Sequence, residues 1–239
     1  MNCDQIIDQL TSISSDKYKA NVIKLGIPEH SSLGVSTGDI RSFAKKLGRS
    51  NTLAAELWQT GYHEARLLAV LLFDPKKTPL AEAKALMSQV ISWDLCDHLC
   101  KNLILKLKGY EELIADWIVS EHLYEKRAAF TLMAASAVHE KHLPDAILDE
   151  YLDLVRTYSD DDRDHVKKAV SWALREIGKK DFNYNEKAVI LAGELVKYGT
   201  KPQIWIGKNA LKELETLVQV EERGRLITSK SKMGQQVCS

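Results

Sequence analysis

The sequence is poor in the residues that interrupt helices or build a disulfide scaffold. Its 239 residues include twelve glycines, five prolines and four cysteines, which leaves few turn signals for a fold made of strands. It contains no run of 18 apolar residues, so we expect no membrane span. The first residues lack the basic and apolar regions of a signal peptide, and we therefore expect a soluble, cytoplasmic protein.

The cysteines do not form a metal-ligand pattern. Cys96 and Cys100 are four residues apart, a spacing that could place two thiolates on one side of a helix. No histidine or second cysteine pair completes a set of four ligands. The sequence therefore predicts buried, reduced thiols, and neither a metal nor another cofactor is expected.

The charge of the chain is balanced in sum but uneven in distribution. It has 33 basic and 33 acidic residues, so its net charge alone does not indicate a nucleic-acid-binding protein. A neutral protein can nevertheless carry one basic face, which has to be sought helix by helix. From residue 223 onward the chain contains no acidic residue. It contains four basic residues there: Arg223, Arg225, Lys230 and Lys232.

Apolar residues recur at helical spacing along nearly the whole chain, which predicts an all-α fold. Four prolines fall where predicted helices begin or end, as proline requires. We expect one helical domain over residues 1–221 and a flexible basic tail over 222–239. The predicted helices cover 2–25, 38–60 with a break near Gly48, 62–73, 79–91, 94–108, 110–120, 122–141, 144–158, 162–180, 184–198 and 202–220.

A weak internal repeat runs through these helices. Arg66, Asp97, Arg127 and Lys168 each lie early in a predicted helix, at intervals of 31, 30 and 41 residues. Paired helices at such a period are typical of a helical solenoid of the HEAT type. The repeat is degenerate, and a plain helical bundle is the alternative.

The predicted helix 162–180 has an unusual outward face. At 100° per residue, one side is apolar and must face the core, with Val166, Val170, Ala173 and Ile177. The other side carries one aromatic and three basic residues: Lys168, Trp172, Arg175 and Lys179. The tryptophan either lies flat and is covered by the next repeat, or belongs to a phosphate-binding surface where its ring meets sugar or base.

The predicted helix 94–108 carries an aspartate on its outward face. Asp97 shares that face with Lys101, Ile104 and Lys108, whereas Leu95, Leu99 and Leu103 face inward with Cys96 and Cys100. Two structural roles explain such an aspartate: an ion pair with Lys101, or a carboxylate near the positive end of a helix capped by Asp94.

The predicted helix 122–141 places an arginine among small residues. Arg127 shares its face with Thr131, Ala134 and Val138, which leaves space above the guanidinium for a ligand. The alternative is an ion pair between Arg127 and a carboxylate of a neighbouring helix.

These motifs resemble those of the bacterial DNA alkylation repair family, the HEAT-like alkylpurine DNA glycosylases. The resemblance covers about residues 20 to 200, in order. It includes Leu57-Trp58 and the loop Leu33-Gly34-Val35-Ser36-Thr37. Three longer strings carry it: Ser92-Trp93-Asp94-Leu95-Cys96-Asp97, Lys126-Arg127-Ala128-Ala129-Phe130, and Lys168-Ala169-Val170-Ser171-Trp172-Ala173-Leu174-Arg175-Glu176.

The resemblance implies a C-shaped solenoid whose concave basic face binds double-stranded DNA as a monomer. Asp97 would be the catalytic carboxylate, Trp93 and Trp172 would flank the deoxyribose of the lesion, and Arg127 would contact the backbone. The other residues implied at the DNA surface are Lys168, Arg175, Lys179, Ser36 and Thr37. The implied reaction is hydrolysis of the N-glycosidic bond of N3- or N7-alkylated purines, without base flipping, in base excision repair.

Two functions are compatible with these residues. A cationic alkylpurine leaves as a neutral base, so a glycosylase needs no general acid, and one carboxylate near the sugar suffices. The second function is a binding module that recognises DNA junctions, damaged duplex or protein without chemistry. The sequence departs from the family at Tyr124, where a tryptophan is expected before the arginine, and in the basic tail after 222. With either function, we expect the protein to be associated with the nucleoid when it is bound to DNA.

Overall fold

The computed structural model describes residues 1–24 and 26–236, and these are almost entirely helical. Helix accounts for 69% of the described residues, which confirms the predicted all-α class. None of the described helices is long and apolar enough to cross a membrane. The α-helices are α1 (Cys3–Ser12), α2 (Asp16–Lys24), α3 (Thr37–Leu47), α4 (Asn51–Gln59), α5 (His63–Leu72), α6 (Leu80–Met87), α7 (Trp93–Asn102), α8 (Glu111–Ile118), α9 (Leu123–His139), α10 (Asp145–Tyr158), α11 (Asp164–Gly178), α12 (Phe182–Tyr198), α13 (Lys201–Leu214) and α14 (Lys232–Gln235).

The prolines lie at helix ends, as predicted. Pro79 and Pro144 are the N-caps of α6 and α10, and Pro202 lies in the first turn of α13. At these positions the missing N–H has no helical partner to lose, so proline is tolerated. In α13 a capping box adds to the start signal, because Thr200 and Gln203 bond reciprocally to each other's backbone N–H.

The prediction of one continuous helix over residues 2–25 is wrong. α1 ends at Ser12 and α2 begins at Asp16, while residue 25 lies outside the described residues. Between them, the N–H of Ser15 donates to the carbonyl of Gly34 at 2.8 Å. That bond ties the break to a distant loop, and local helical spacing cannot reveal such a partner.

Contacts divide the chain into two compact units, Met1–Leu113 and Ile114–Ser239. The boundary expected at residue 222 does not coincide with this division. In the first unit α5 packs against α3, α4 and α7; in the second, α11 packs against α9, α12 and α13. α5 and α11 are therefore the central helices of their units.

The segment expected to be a flexible tail packs onto the second unit over its described residues. The strand β1 (Leu217–Val218) pairs antiparallel with β2 (Ile227–Thr228). Between the strands, Leu226 is only 1% exposed and its N–H donates to the carbonyl of Lys179 at 2.9 Å. The predicted helix 202–220 accordingly ends at Leu214, where the chain turns into this hairpin. The last three positions, 237–239, lie outside the described residues.

Helix α9 is buried on all sides along its middle. Its residues from Arg127 to Ser136 are all buried, so the outward face predicted for Thr131 and Ala134 is wrong. The prediction assumed one solvent face per helix, but small residues let α9 lie inside the unit against α11. The space expected above Arg127 is therefore filled by the protein itself.

Close packing between α12 and α13 depends on a glycine. A Cβ at Gly207 would meet the carbonyl oxygen of Ala192 and would lie 2.8 Å from a methyl group of Val196. Helices can approach this closely only where one of them lacks a side chain. Gly207 thereby fixes the face that α13 turns towards α12.

Candidate nucleic-acid interface

The start of α7 is anchored to α5 by an acid–imidazole pair. Nε2 of His63 lies 2.8 Å from Oδ2 of Asp94, which occupies the first turn of α7. Burial would raise the pKa of Asp94, but the bond and charge of His63, with the Ser92 hydroxyl and the Leu95 N–H, hold it below its ordinary value. Asp94 is therefore an ionised anchor of this helix end.

Asp97 does not have the helix-end role considered from the sequence. The N-cap of α7 is Ser92 and not Asp94, so Asp97 is the fifth residue of the helix. Only the first four N–H groups of a helix lack a partner in it, and the favourable dipole position in the first turn belongs to Asp94. A stabilising role at the helix end therefore does not explain why residue 97 is an aspartate.

A pocket of about 220 Å³ opens beside Asp97. Asp97 is 8% exposed and Trp93 half-buried. The pocket brings three of the residues predicted for the site together: Thr37, Trp93 and Asp97. The remaining lining residues are Arg41, Leu67, Asp94, His98, Lys101 and Asn102. This is a small concave site lined by two carboxylates, one indole and two cations.

One wall of this pocket is a neutral imidazole. His98 lies with Nε2 3.1 Å from the carbonyl of Leu67, and the side-chain amide of Asn102 lies 3.3 Å from Nδ1. Burial, with the charge of Arg41 second, lowers the pKa of His98 from 6.5 to about 4. At neutral pH the ring is therefore uncharged, and it donates through Nε2 to Leu67 and accepts at Nδ1.

The predicted loop 33–37 enters the same unit in a fixed conformation. Ser36 is the N-cap of α3: its hydroxyl accepts from the N–H of Asp39 at 3.1 Å and donates to the Asp39 carboxylate at 2.6 Å. Thr37 follows as an exposed residue at the border of the pocket. Ser36 thus has a structural role that the resemblance does not require, whereas Thr37 faces the candidate site.

In the second unit, Arg127 reaches the backbone of α11. It is 6% exposed, and one guanidinium nitrogen donates to the carbonyl of His165 at 2.6 Å. This contact differs from the carboxylate pair considered as the alternative. It joins α9 to the first turn of α11, so Arg127 positions the helix that carries Trp172.

The two faces predicted for α11 are confirmed. Val166, Val170, Ala173 and Ile177 are fully buried. On the other face Lys168 is 57% exposed and lies 3.9 Å from Asp164, while Trp172 is half-buried. The basic character of this face therefore resides mainly in its N-terminal half.

The C-terminal half of that face is neutralised by carboxylates. Arg175 binds Glu213 at 2.6 Å, and Lys179 lies 2.8 Å from the same carboxylate and 2.9 Å from Glu176. Burial would raise the pKa of Glu213, but these two cations hold it below its ordinary value. The sequence placed Arg175 and Lys179 on a phosphate-binding stripe, whereas each of them has an acidic partner on a neighbouring turn or helix.

The residues predicted for the site belong to two different units. Thr37, Trp93 and Asp97 share one pocket of the first unit, whereas Arg127, Lys168, Trp172, Arg175 and Lys179 belong to α9 and α11 of the second. Sequence reasoning missed Arg41, His98 and Asn102 as neighbours of Asp97. Arg41 stands four residues after Thr37, one helical turn further on, and that spacing is a usable signal.

The chain is similar to proteins that act on DNA. The sequence profile of a family described as DNA alkylation repair enzyme matches residues 6–214. A solved structure described as "A new family of proteins related to the HEAT-like repeat DNA glycosylases with affinity for branched DNA structures" has a TM-score of 0.74 to this chain at 18% identity, covering 100% of this chain and 94% of that chain. No curated protein shows a significant match. The structural similarity establishes a HEAT-like repeat fold, as predicted.

Proposed function

The chain belongs to the DNA alkylation repair enzyme family, and from that membership we propose that it is a DNA glycosylase for cationic N3- and N7-alkylated purines. It hydrolyses the N-glycosidic bond of such a lesion in double-stranded DNA and leaves an abasic site for base excision repair. The lesion is not flipped into a base pocket, which distinguishes this reaction from that of most glycosylases. The protein acts as a monomer and uses no metal or other cofactor.

The single observation that carries the proposal is the setting of Asp97. Its carboxylate lies on the wall of a small pocket that the indole of Trp93 also lines. Asp97 is in the middle of α7, outside the first turn. A carboxylate there suits a reaction in which positive charge develops on a sugar. The alkylated purine already carries the charge that makes it a leaving group, so an acid to protonate it is not needed.

The roles of the side chains follow from this chemistry. As the bond to the base lengthens, the sugar gains oxocarbenium character, and Asp97 stabilises that charge and orients the attacking water. The ring face of Trp93, in the same pocket as Asp97, attracts this charge and contributes about 0.5–2 kcal/mol. Trp172 on α11 is assigned to a deoxyribose of the bound DNA. Lys168 and Thr37 contact the DNA backbone. Arg127 acts on the backbone or, through His165, on the position of α11.

A second candidate function is binding of branched DNA without chemistry. It is favoured by the structure at TM-score 0.74, whose description names affinity for branched DNA. A binder of this kind requires cations and aromatic rings but has little use for Asp97.

One assay separates the two functions. The purified protein is incubated with duplex DNA that contains N7-methylguanine or N3-methyladenine, and free base is separated and quantified against a no-protein control. Release above the spontaneous rate supports the glycosylase. If no base is released, while a four-way junction displaces a matched duplex from the protein, the binding function is correct and the glycosylase proposal is wrong.

A further inference from the structure

Helix α13 carries an exposed stripe of three lysines and one tryptophan. The stripe consists of Lys201, Trp205, Lys208 and Lys212, all of them exposed. They are spaced four, three and four residues apart. At 100° per residue around the helix axis, the other three therefore lie within about 40° of Lys201. Over eleven residues the stripe is about 16 Å long. Glu215 lies at its C-terminal end.

The opposite face of α13 fixes the direction of the stripe. Ile206, Ala210 and Leu214 are buried, and Gly207 allows the close approach to α12. A helix held by a continuous buried face does not turn about its axis without losing that burial. The lysine stripe is therefore a constant feature of the second unit.

The charge of this stripe is available to a partner. Within residues 1–24 and 26–236, Lys201, Lys208 and Lys212 take part in no ion pair, in contrast to Arg175 and Lys179 on the neighbouring α11. A lysine without a carboxylate partner does not have to give up an existing ion pair when it meets a phosphate. The stripe can therefore release bound counterions fully on binding a polyanion.

The tryptophan of the stripe is partly covered by a cation and partly open. Trp205 is 37% exposed, and Nζ of Lys167 lies 5.1 Å from its ring centroid. Lys167 belongs to α11, where it also binds Asp164 at 2.8 Å. The contact brings one basic residue of α11, Lys167, against the stripe on α13. Tryptophan beside lysines is the composition of a surface that meets a nucleic-acid backbone.

We propose that the α13 stripe is a second DNA-contact surface, which binds the phosphate backbone away from the lesion. This inference rests on the proposed function, because it takes the partner to be DNA. A duplex carries one charge per 1.7 Å of axis, so about ten phosphates lie along the 16 Å length of the stripe. The lysines neutralise phosphates, and Trp205 packs against a deoxyribose. This surface gives affinity and register without sequence specificity.

The test measures the salt dependence of binding to an undamaged duplex by fluorescence anisotropy. Each phosphate contact contributes about 0.9 to the slope of log K against log salt. The triple variant Lys201→Ala/Lys208→Ala/Lys212→Ala should therefore lower that slope by about 2.7. A matched triple variant with the same charge change, Lys141→Ala/Lys230→Ala/Lys232→Ala, replaces exposed lysines elsewhere in the unit and should keep the parent's slope.

Two further variants keep the test decisive. Lys208→Gln alone should lower the slope by about 0.9, and it removes no buried contact if the triple variant folds poorly. Trp205→Ala should weaken binding equally at all salt concentrations, because it removes packing and no charge. If the α13 variants and the matched control have equal slopes, the proposal is wrong, while excision of alkylated bases can still occur. If the parent protein binds no DNA at all, both this proposal and the proposed function fail.

Discussion

The carboxylate of Glu64 holds the loop that precedes α3 by accepting the N–H of Gly34 at 2.7 Å. The same carboxylate accepts from the N–H groups of Leu33 at 2.8 Å and Val35 at 3.4 Å, and from the hydroxyl of Ser32 at 3.1 Å. Glu64 is fully buried. A buried carboxylate is tolerated when donors surround it in this way. The candidate-site residue Thr37 lies directly after this loop, so Glu64 on α5 positions it.

Replacing Glu64 by glutamine should destabilise the first unit. The amide cannot accept on both sides, so at least one buried N–H of the loop is left without a partner, at a cost of about 1–3 kcal/mol each. Urea unfolding followed by circular dichroism measures the loss. Glu56→Gln, at an exposed position of α4, is the control and should change the free energy of unfolding by less than about 0.5 kcal/mol. Equal effects of the two substitutions would show that the four bonds to Glu64 contribute nothing.

The sequence predicted those features that depend on local spacing. Helical class, the proline positions and the two faces of α11 follow from residues within a turn or two of each other. The resemblance, which rests on longer strings, placed Trp93 and Asp97 together on one helix. In these cases neighbours along the chain are also neighbours in space.

The features that sequence reasoning missed depend on partners far away in the chain. Glu64 reads as an ordinary charged residue of a helix, since the loop that it binds lies 30 residues earlier. Arg175 and Lys179 read as a basic stripe because Glu213 belongs to a later helix. The burial of α9 on all sides likewise reflects its place in the unit. Local periodicity contains no information on such tertiary partners.

The neutral His98 should make stability depend on pH between about 6.5 and 4. Its pKa is lowered to about 4 in the folded protein, first by burial, whereas an unfolded histidine takes up its proton near pH 6.5. Across this window the unfolded state binds the extra proton, so stability falls as the pH falls. The shift corresponds to a loss on the order of 3 kcal/mol.

The variant His98→Gln isolates this contribution. Glutamine has no titrating group but can still donate to the carbonyl of Leu67, the partner of Nε2. The free energy of unfolding, measured in urea at several pH values, should decline less steeply for the variant than for the parent between about pH 6.5 and 4. Parallel profiles would mean that His98 has an ordinary pKa in the folded protein.

Removing the charge of Glu213 should strengthen DNA binding. Glu213→Gln releases Arg175 and Lys179 from their common carboxylate partner, so the salt-dependence slope should rise by up to about 1.8 if both reach phosphates. The control Glu186→Gln removes the same charge from an exposed position of α12, away from the α13 stripe. Anisotropy titrations over a range of salt concentrations compare the two variants. A rise in both would reflect net charge, whereas no rise in either would place the DNA contact away from Arg175 and Lys179.

The substitution Asp97→Asn should abolish excision while the fold and DNA binding persist. Asparagine keeps the shape of the side chain, and because Asp97 is 8% exposed we expect a loss of about 1 kcal/mol, a common value for a point substitution. DNA affinity should hold or rise, since a negative charge leaves a surface that faces phosphates. The rate of base release should fall by about 10²–10³, because the lost charge acts mainly in the transition state.

Single-turnover release of N3-methyladenine from duplex DNA measures this effect, with binding to the same duplex measured in parallel. N7-methylguanine also departs without a catalyst, so the rate without protein is subtracted for that lesion. Asp8→Asn, at an exposed position of α1, is the control and should retain the parent's rate. If Asp97→Asn releases base as fast as the parent, Asp97 contributes only to the structure of the pocket and the stabilising charge must come from another group. If the parent itself releases no base yet binds branched DNA, the glycosylase proposal is wrong and the chain is a DNA-binding module without this chemistry.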